Sequence, residues 1–228
     1  MNDQVFFKSY IGLSIISLIS ILIGYEAAAE LAKPFLTFLL LLGVYYIQPF
    51  ITKKFLLKAL SFSFCANIIL LFSNGKELFF ISGLIAFFVA HIMYIWLFNK
   101  ELINKTRKNS AKFWVEVTIM ICYLVAMLII FLPIRENMRI PVFIYTLTNA
   151  ILLLFTLKGF QIWEKPAGYY ILIGAIILVM SDTAMLFDRF YSSFLLSNFY
   201  ITAGFLISQY LIIFGILKLN QKKQHFLY

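Results

Sequence analysis

Residues 174–191 have the sequence GAIILVMSDTAMLFDRFY, an apolar run that Asp182 interrupts near its middle. A run of this length and composition is typical of a membrane-spanning helix. A charge at the centre of such a helix costs roughly 3 to more than 10 kcal/mol, so the carboxylate is normally paired, hydrated or protonated, and usually functional. We therefore interpret Asp182 as the centre of a polar site inside the membrane.

The composition sets the fold class. The chain of 228 residues is 63% hydrophobic and only 13% charged, with 26 Phe, which is more apolar surface than a soluble core could bury. We expect an all-α, polytopic membrane protein in which residues 1–228 form a single transmembrane domain. Eight spans are predicted, at residues 6–25, 35–48, 55–73, 78–98, 113–132, 140–157, 168–187 and 197–219.

The net charge of +9 does not indicate a nucleic-acid partner, because the basic residues lie in short loops between apolar runs and form no long tract. Fourteen of the 19 Lys and Arg, including Lys105, Arg107, Lys108 and Lys112, fall on the side of the chain termini. This bias predicts that both termini are cytoplasmic, in the inner (plasma) membrane of a bacterium. The acidic segment 25–33 is then expected to be an outer loop, with Pro34 in the first turn of the second span.

The two halves of the chain show a weak internal similarity. Ala66-Asn67 in the third span and Ser181-Asp182 in the seventh lie about half a chain apart, and each pair is followed five positions later by Phe. Pro34 and Pro141 are expected to open the spans that precede them. The pattern is consistent with a four-plus-four parallel duplication, related by an axis along the membrane normal; chance similarity between apolar helices is the alternative.

Further polar residues within the predicted spans are candidates for the same site. They are Asn67, His91, Tyr94, Tyr145, Asn149 and Gln209. Spacings of three and four place His91 beside Tyr94 and Tyr145 beside Asn149 on their helices. The alternative is that these groups only join helices, each contributing about 0.6 to 2 kcal/mol.

Neither a metal site nor a cofactor motif is predicted. The chain has two histidines, one in the tail at His225, and its two cysteines have no partner at ligand spacing. We expect Cys65 and Cys122 to be core residues. A P-loop, a dinucleotide glycine fingerprint and a nucleophile elbow are all missing from the sequence, so acid–base chemistry by a carboxylate is what an enzyme of this sequence would use.

An ordered set of residues resembles the YhhN-like lysoplasmalogenase family of integral membrane proteins. The set extends over nearly the whole chain: Lys33-Pro34, Gly83-Leu84, Phe87, Ala90-His91, Tyr94, Phe98, Pro141-Val142, Tyr145, Gly174-Ala175, Ser181-Asp182, Arg189-Phe190 and Gln209-Tyr210-Leu211. The resemblance implies a hydrolase of the vinyl-ether bond of lysoplasmalogens, which releases a fatty aldehyde and a glycerophospho-headgroup. It also implies two catalytic intramembrane aspartates. Asp182 matches the second, whereas Ala66-Asn67 stands where the family has Gly-Asp.

The loss of one carboxylate leaves several interpretations open. Asp182 could act as the acid with Asn67 and His91 orienting water or the headgroup, while Tyr94, Tyr145, Asn149 and Gln209 line the pocket. The chain could instead have shifted to another ether lipid, or be a catalytically weakened relative that only binds lipid. A small proton-coupled transporter is the alternative from another class, because a buried acid among eight helices could load and release H⁺ or Na⁺. The expected partners are a lysophospholipid or related ether lipid and the membrane, and no cofactor is implied.

Overall fold

The computed structural model describes residues 2–73, 76–102, 110–134, 136–191 and 194–225. Within these ranges the chain forms eight α-helices and no strand. The helices are α1 Asn2–Leu22, α2 Glu26–Tyr46, α3 Lys53–Leu71, α4 Glu77–Leu102, α5 Ser110–Phe131, α6 Glu136–Phe160, α7 Ala167–Phe190 and α8 Ser197–His225. Each contains a stretch long and apolar enough to cross a membrane. The prediction of an integral membrane protein with eight spans is therefore confirmed.

Among the described residues, consecutive helices are packed against each other except for α4 and α5, and they alternate in direction, which gives the bundle two distinct ends. The terminal end is where α1 begins and α8 finishes. The far end is where α1, α3, α5 and α7 finish and the helices that follow them begin. The most extensive contacts are between α7 and α8, between α3 and α4, and between α1 and α2, while α4 also packs against α6. The duplication of four helices is not confirmed by this arrangement and stays a prediction.

Glycines bring α7 and α8 into backbone contact. A Cβ atom added to Gly174 would lie 3.0 Å from the backbone nitrogen of Ile212, and one added to Gly215 would lie 3.0 Å from that of Ile171. Near the far end, a Cβ added to Gly204 would lie 2.9 Å from Ser181 Cβ. Small residues at such contacts let membrane helices approach closely, because association in lipid depends on packing rather than on the hydrophobic effect. This contact fixes the height and rotation of α7, which carries Asp182.

The second helix begins earlier than predicted. The segment expected to be an outer loop is helical from Glu26, so Pro34 lies inside α2 instead of opening it. Pro141 likewise lies inside α6. Residues 26–33, EAAAELAK, are strong helix formers, and proline is tolerated within membrane helices where Ser or Thr side chains and neighbouring helices satisfy the backbone. Lys33 is therefore part of a spanning helix.

The cysteines do not lie in the core. Cys65 and Cys122 are both free and exposed on the outside of the bundle, so the prediction that they are core residues is wrong. The outer face of a membrane bundle is covered by lipid, where a small apolar side chain is as well placed as it would be inside. Among the basic residues that predict the topology, Lys105, Arg107, Lys108 and Arg135 lie outside the described residues, as do the side chains of Lys112, Lys222 and Lys223. The side chain of His225 lies outside them as well.

Candidate functional site

Asp182 lies on the inner face of α7, about two turns from the far end of the helix. Its side chain is buried, with 5% of the residue exposed. The carboxylate faces α4 and α6: Asp182 Oδ2 is 3.6 Å from His91 Nε2, and the side chains of Tyr145 and Asn149 lie next to it. The His91 ring in turn stacks on Tyr145, with 5.4 Å between the ring centroids. Three helices thus bring four predicted site residues together.

Several polar atoms in this cluster make no hydrogen bond to any described residue. They are His91 Nδ1, the Tyr145 hydroxyl, both amide atoms of Asn149 and Asp182 Oδ2, and all are buried. The 3.6 Å separation from His91 is likewise too long for a direct hydrogen bond. Buried polar groups in folded proteins are normally paired, so this group of buried polar side chains around one carboxylate is a candidate functional site.

A cavity of about 320 Å³, here called the aspartate pocket, extends from Asp182 to the far end of the bundle. Asn67 on α3 lines the same cavity, so the two residues that correspond in the weak internal similarity face one space. The inner part of the wall combines the apolar residues Phe87 and Phe205 with the buried polar residues Asn67 and Ser181. The mouth is charged, and its lining includes Glu26, Glu30, Lys33, Asp188 and Arg189. The pocket therefore changes from charged at the mouth to a mixed apolar and polar interior around Asp182.

Asn67 is held by a hydrogen-bond chain that starts on α2. Asn67 Nδ2 donates to Thr37 Oγ1 at 3.0 Å, and the Thr37 hydroxyl donates to the carbonyl of Lys33, also at 3.0 Å. The threonine has a single hydroxyl proton, so once it is given to Lys33 the oxygen can only accept. The residue at position 67 must therefore be a donor, which an amide satisfies and an ionised carboxylate does not.

The mouth of the pocket contains a polar bridge that the sequence did not indicate. Lys33 Nζ donates to Asn198 Oδ1 at 3.5 Å, and Asn198 Nδ2 donates to Glu26 Oε2 at 3.3 Å. The bridge joins α2 to α8 across the opening. On the other side Arg189 Nη2 donates to the carbonyl of Ser73 at 3.5 Å. The signal for Lys33 in the sequence is a cation next to a long apolar run, but a helix that begins at Pro34 places this residue in a loop.

Tyr94 and Gln209 form a separate pair. The Tyr94 hydroxyl donates to Gln209 Oε1 at 2.7 Å, and both residues are buried. Since α4 runs from the far end to the terminal end, Tyr94 lies deeper than His91, and neither partner lines the aspartate pocket. The contact joins α4 to α8. Tyr94 shares a helix with His91 but makes its hydrogen bond away from Asp182.

Among the described residues, no group of three or more His, Cys, Asp or Glu side chains is arranged to hold a metal ion. The donors that surround Asp182 are an imidazole, a phenol and an amide. This set can orient and hydrogen-bond a carboxyl group, a water molecule or an ether oxygen.

The sequence model of the YhhN family matches residues 28–216. The chain belongs to the YhhN family. Comparisons with curated proteins and with solved structures found no significant match. The match to the family begins in the first turn of α2 and ends in α8, so it includes every predicted site residue and leaves out α1. The region that matches the YhhN family therefore includes the part of the bundle that forms the aspartate pocket.

Proposed function

We propose that this YhhN family member is a membrane hydrolase that cleaves the vinyl-ether bond of a lysoplasmalogen. The observation that carries the proposal is the aspartate pocket itself, in which Asp182 and Asn67 line one cavity that opens at the far end of the bundle. The charged mouth and the partly apolar inner wall match an amphiphile with a polar headgroup and a single chain. In this proposal the pocket opens toward the outer surface and both termini lie in the cytoplasm of a bacterium.

The headgroup binds at the mouth in this arrangement. Lys33 and Arg189 are positioned to attract its phosphate, while the carboxylates of Glu26, Glu30 and Asp188, which line the same opening, would repel it and favour a headgroup that also carries a positive charge. The glycerol extends inward, which places the vinyl-ether bond beside Asp182. The alkyl chain follows the apolar wall at Phe87 and Phe205 and continues between the helices.

Protonated Asp182 acts as the acid. Its proton goes to the alkene carbon that does not bear the oxygen, and the ether carbon becomes an oxocarbenium ion. Water adds to that carbon while the Asp182 carboxylate takes up the proton that the water loses, which restores the acid. The resulting hemiacetal breaks its bond to the glycerol oxygen and transfers its hydroxyl proton to that oxygen. One water molecule is consumed, and the products are a fatty aldehyde and a glycerophospho-compound.

The neighbours of Asp182 have positioning roles. His91 and the Tyr145–Asn149 pair face the carboxyl group and set its orientation. Asn67, whose amide nitrogen is held by Thr37, offers its carbonyl oxygen to orient the attacking water. Asn67 cannot accept the proton of that water, so Asp182 has to perform both proton transfers.

Two other functions remain candidates. Asn67 in place of the aspartate expected from the family resemblance favours a lipid-binding relative that has lost the chemistry. Pro34 and Pro141 inside their helices favour a proton-coupled transporter, since transporter sites use interrupted helices. Against transport, Tyr94, Leu97 and Phe98 are fully buried and fill the bundle between His91 and the terminal end. A pocket closed at its inner end is sufficient for hydrolysis or binding, whereas transport would require a second conformation that opens toward the terminal end.

The test is release of fatty aldehyde from a lysoplasmenyl lipid by the purified protein in detergent, followed as NADH consumption with an added alcohol dehydrogenase. We expect Asp182→Asn to lower the rate by about 10²- to 10⁴-fold, the usual contribution of a general acid. Glu136→Gln is the matched control, because it makes the same carboxylate-to-amide change at an exposed position at the start of α6. Its rate should equal that of the wild type.

If the Asp182→Asn variant folds and retains the wild-type rate, Asp182 has no role in the mechanism. A folded wild type that releases no aldehyde but binds the lipid would favour the binding relative. Proton movement into liposomes that contain the wild type, lost in Asp182→Asn, would favour the transporter.

A further inference from the structure

A second groove lies between α1 and α8 at the terminal end of the bundle, opposite the mouth of the aspartate pocket. It has a volume of about 310 Å³. These two helices pack against each other only lightly, in contrast to the close contact between α7 and α8. Its lining includes Gln4, Phe7 and Lys8 on α1 and Phe214, Lys218 and Gln221 on α8.

The lining of the α1–α8 groove changes from polar to apolar with depth. Gln4 and Lys8 lie in the first two turns of α1, and Lys218 and Gln221 lie close to the C-terminal end of α8. Further from the terminal end, the groove is lined by apolar residues that include Phe214. Spacings of three, four and seven residues place these side chains on one face of each helix. The groove therefore has a polar entrance at the membrane surface and an apolar interior at acyl-chain depth.

The entrance is cationic. The described lining residues include Lys8 and Lys218 and no carboxylate. The Lys218 ammonium lies 5.3 Å from the ring centroids of both Tyr170 and Phe214, a cation–π geometry that holds the amine at the groove. Lys8 is exposed and able to turn toward a ligand.

We propose that the α1–α8 groove binds an anionic phospholipid of the surrounding leaflet. The phosphate lies between Lys8 and Lys218, the two glutamines hydrogen-bond to the headgroup, and one acyl chain lies over Phe7 and Phe214. Basic pockets between membrane helices recognise acidic headgroups in this way, and an apolar floor beside two lysines fits a lipid better than a soluble anion. This site uses neither Asp182 nor Asn67, so it does not depend on the hydrolase proposal.

The experiment is native mass spectrometry of the full chain, titrated in detergent with dioleoylphosphatidylglycerol or with dioleoylphosphatidylcholine. We expect the wild type to retain the phosphatidylglycerol preferentially. The double variant Lys8→Gln with Lys218→Gln should bind it about tenfold or more weakly, since each lysine near an anionic headgroup contributes to binding. Lys54→Gln with Lys58→Gln is the matched control, because both lysines are exposed at the same end of the bundle, on α3.

Equal retention of the two lipids by the wild type would overturn the proposal, as would an equal loss of affinity in the control variant. Inorganic phosphate added at the lipid concentration should not displace the lipid; displacement would mean that the groove takes a free anion. Gel filtration of each variant verifies the fold, and Lys8→Gln alone provides a milder change if the double variant aggregates.

Discussion

The Asn67→Asp variant introduces a second carboxyl group into the aspartate pocket. The contacts of Asn67 determine how much stability the protein loses. Asn67 Nδ2 donates to Thr37 Oγ1, and the Thr37 hydroxyl proton is already given to the carbonyl of Lys33. An ionised carboxylate at position 67 would face an oxygen lone pair. We expect the free energy of unfolding to fall by about 1–3 kcal/mol, the penalty for a buried polar group that loses its partner.

Thermal unfolding in detergent measures this cost. A loss of that size corresponds to a decrease of very roughly 2–4 °C in the midpoint for each kcal/mol in a chain of this length. Thr37→Val supplies the control background, because it removes the oxygen that opposes the carboxylate. Asn67→Asp should therefore cost less in Thr37→Val than in the wild type. Equal costs in the two backgrounds would contradict the proposed role of the Asn67–Thr37 hydrogen bond.

The same variant tests the chemistry. A carboxylate at position 67 could take the proton of the attacking water, which would divide the work that Asp182 otherwise does alone. We expect aldehyde release to rise by about 10²-fold if the wild type is a weakened enzyme, the lower bound for a general base. A folded Asn67→Asp variant without any gain would refute this reasoning and indicate a pocket rebuilt for another substrate or for binding.

Two further predictions concern the helix contacts that support the pocket. Gly204→Ala should lower the free energy of unfolding by about 1–3 kcal/mol, because its Cβ would lie 2.9 Å from Ser181 Cβ. Gly12→Ala is the control, since its Cβ would meet nothing within 4 Å. Equal unfolding midpoints for the two variants would contradict the close contact at Gly204. Tyr94→Phe should cost about 0.6–2 kcal/mol, the range for hydrogen bonds between membrane helices, since it removes the bond to Gln209. A Gln209→Leu background should abolish that cost, and an undiminished cost there would argue against the pairing.

The spans could be predicted from the sequence because the membrane imposes a length and an apolar composition on every helix. Asp182 was also visible, since a carboxylate within an apolar run is unusual whatever its partners. The start of α2 differs from the prediction because a proline usually marks a helix boundary, whereas a membrane helix can accommodate one in its interior. That one error moved Lys33 from the pocket to a loop.

Partners on distant helices could not be predicted in the same way. Tyr94 and Gln209 are 115 residues apart, and Lys33 and Asn198 are 165 apart. Helical periodicity shows which residues share a face of one helix, but it does not show which helix that face meets. Periodicity therefore groups Tyr94 with His91, whereas the Tyr94 hydroxyl donates to Gln209 on α8. The same limit applies to Cys65, since an apolar sequence does not distinguish the lipid-facing side of a helix from its core-facing side.

The backbone contact between α7 and α8 has a consequence for how the pocket can open. Two helices locked together through Gly174 and Gly215 move as one block, so the wall that carries Asp182 keeps its shape. The opposite wall includes parts of α2 and α3, and α2 reaches α8 through far fewer contacts, among them the Lys33–Asn198 hydrogen bond. Any widening of the pocket at the far end would therefore require these two blocks to separate, and that separation would break the hydrogen bonds of Asn198 to Lys33 and Glu26.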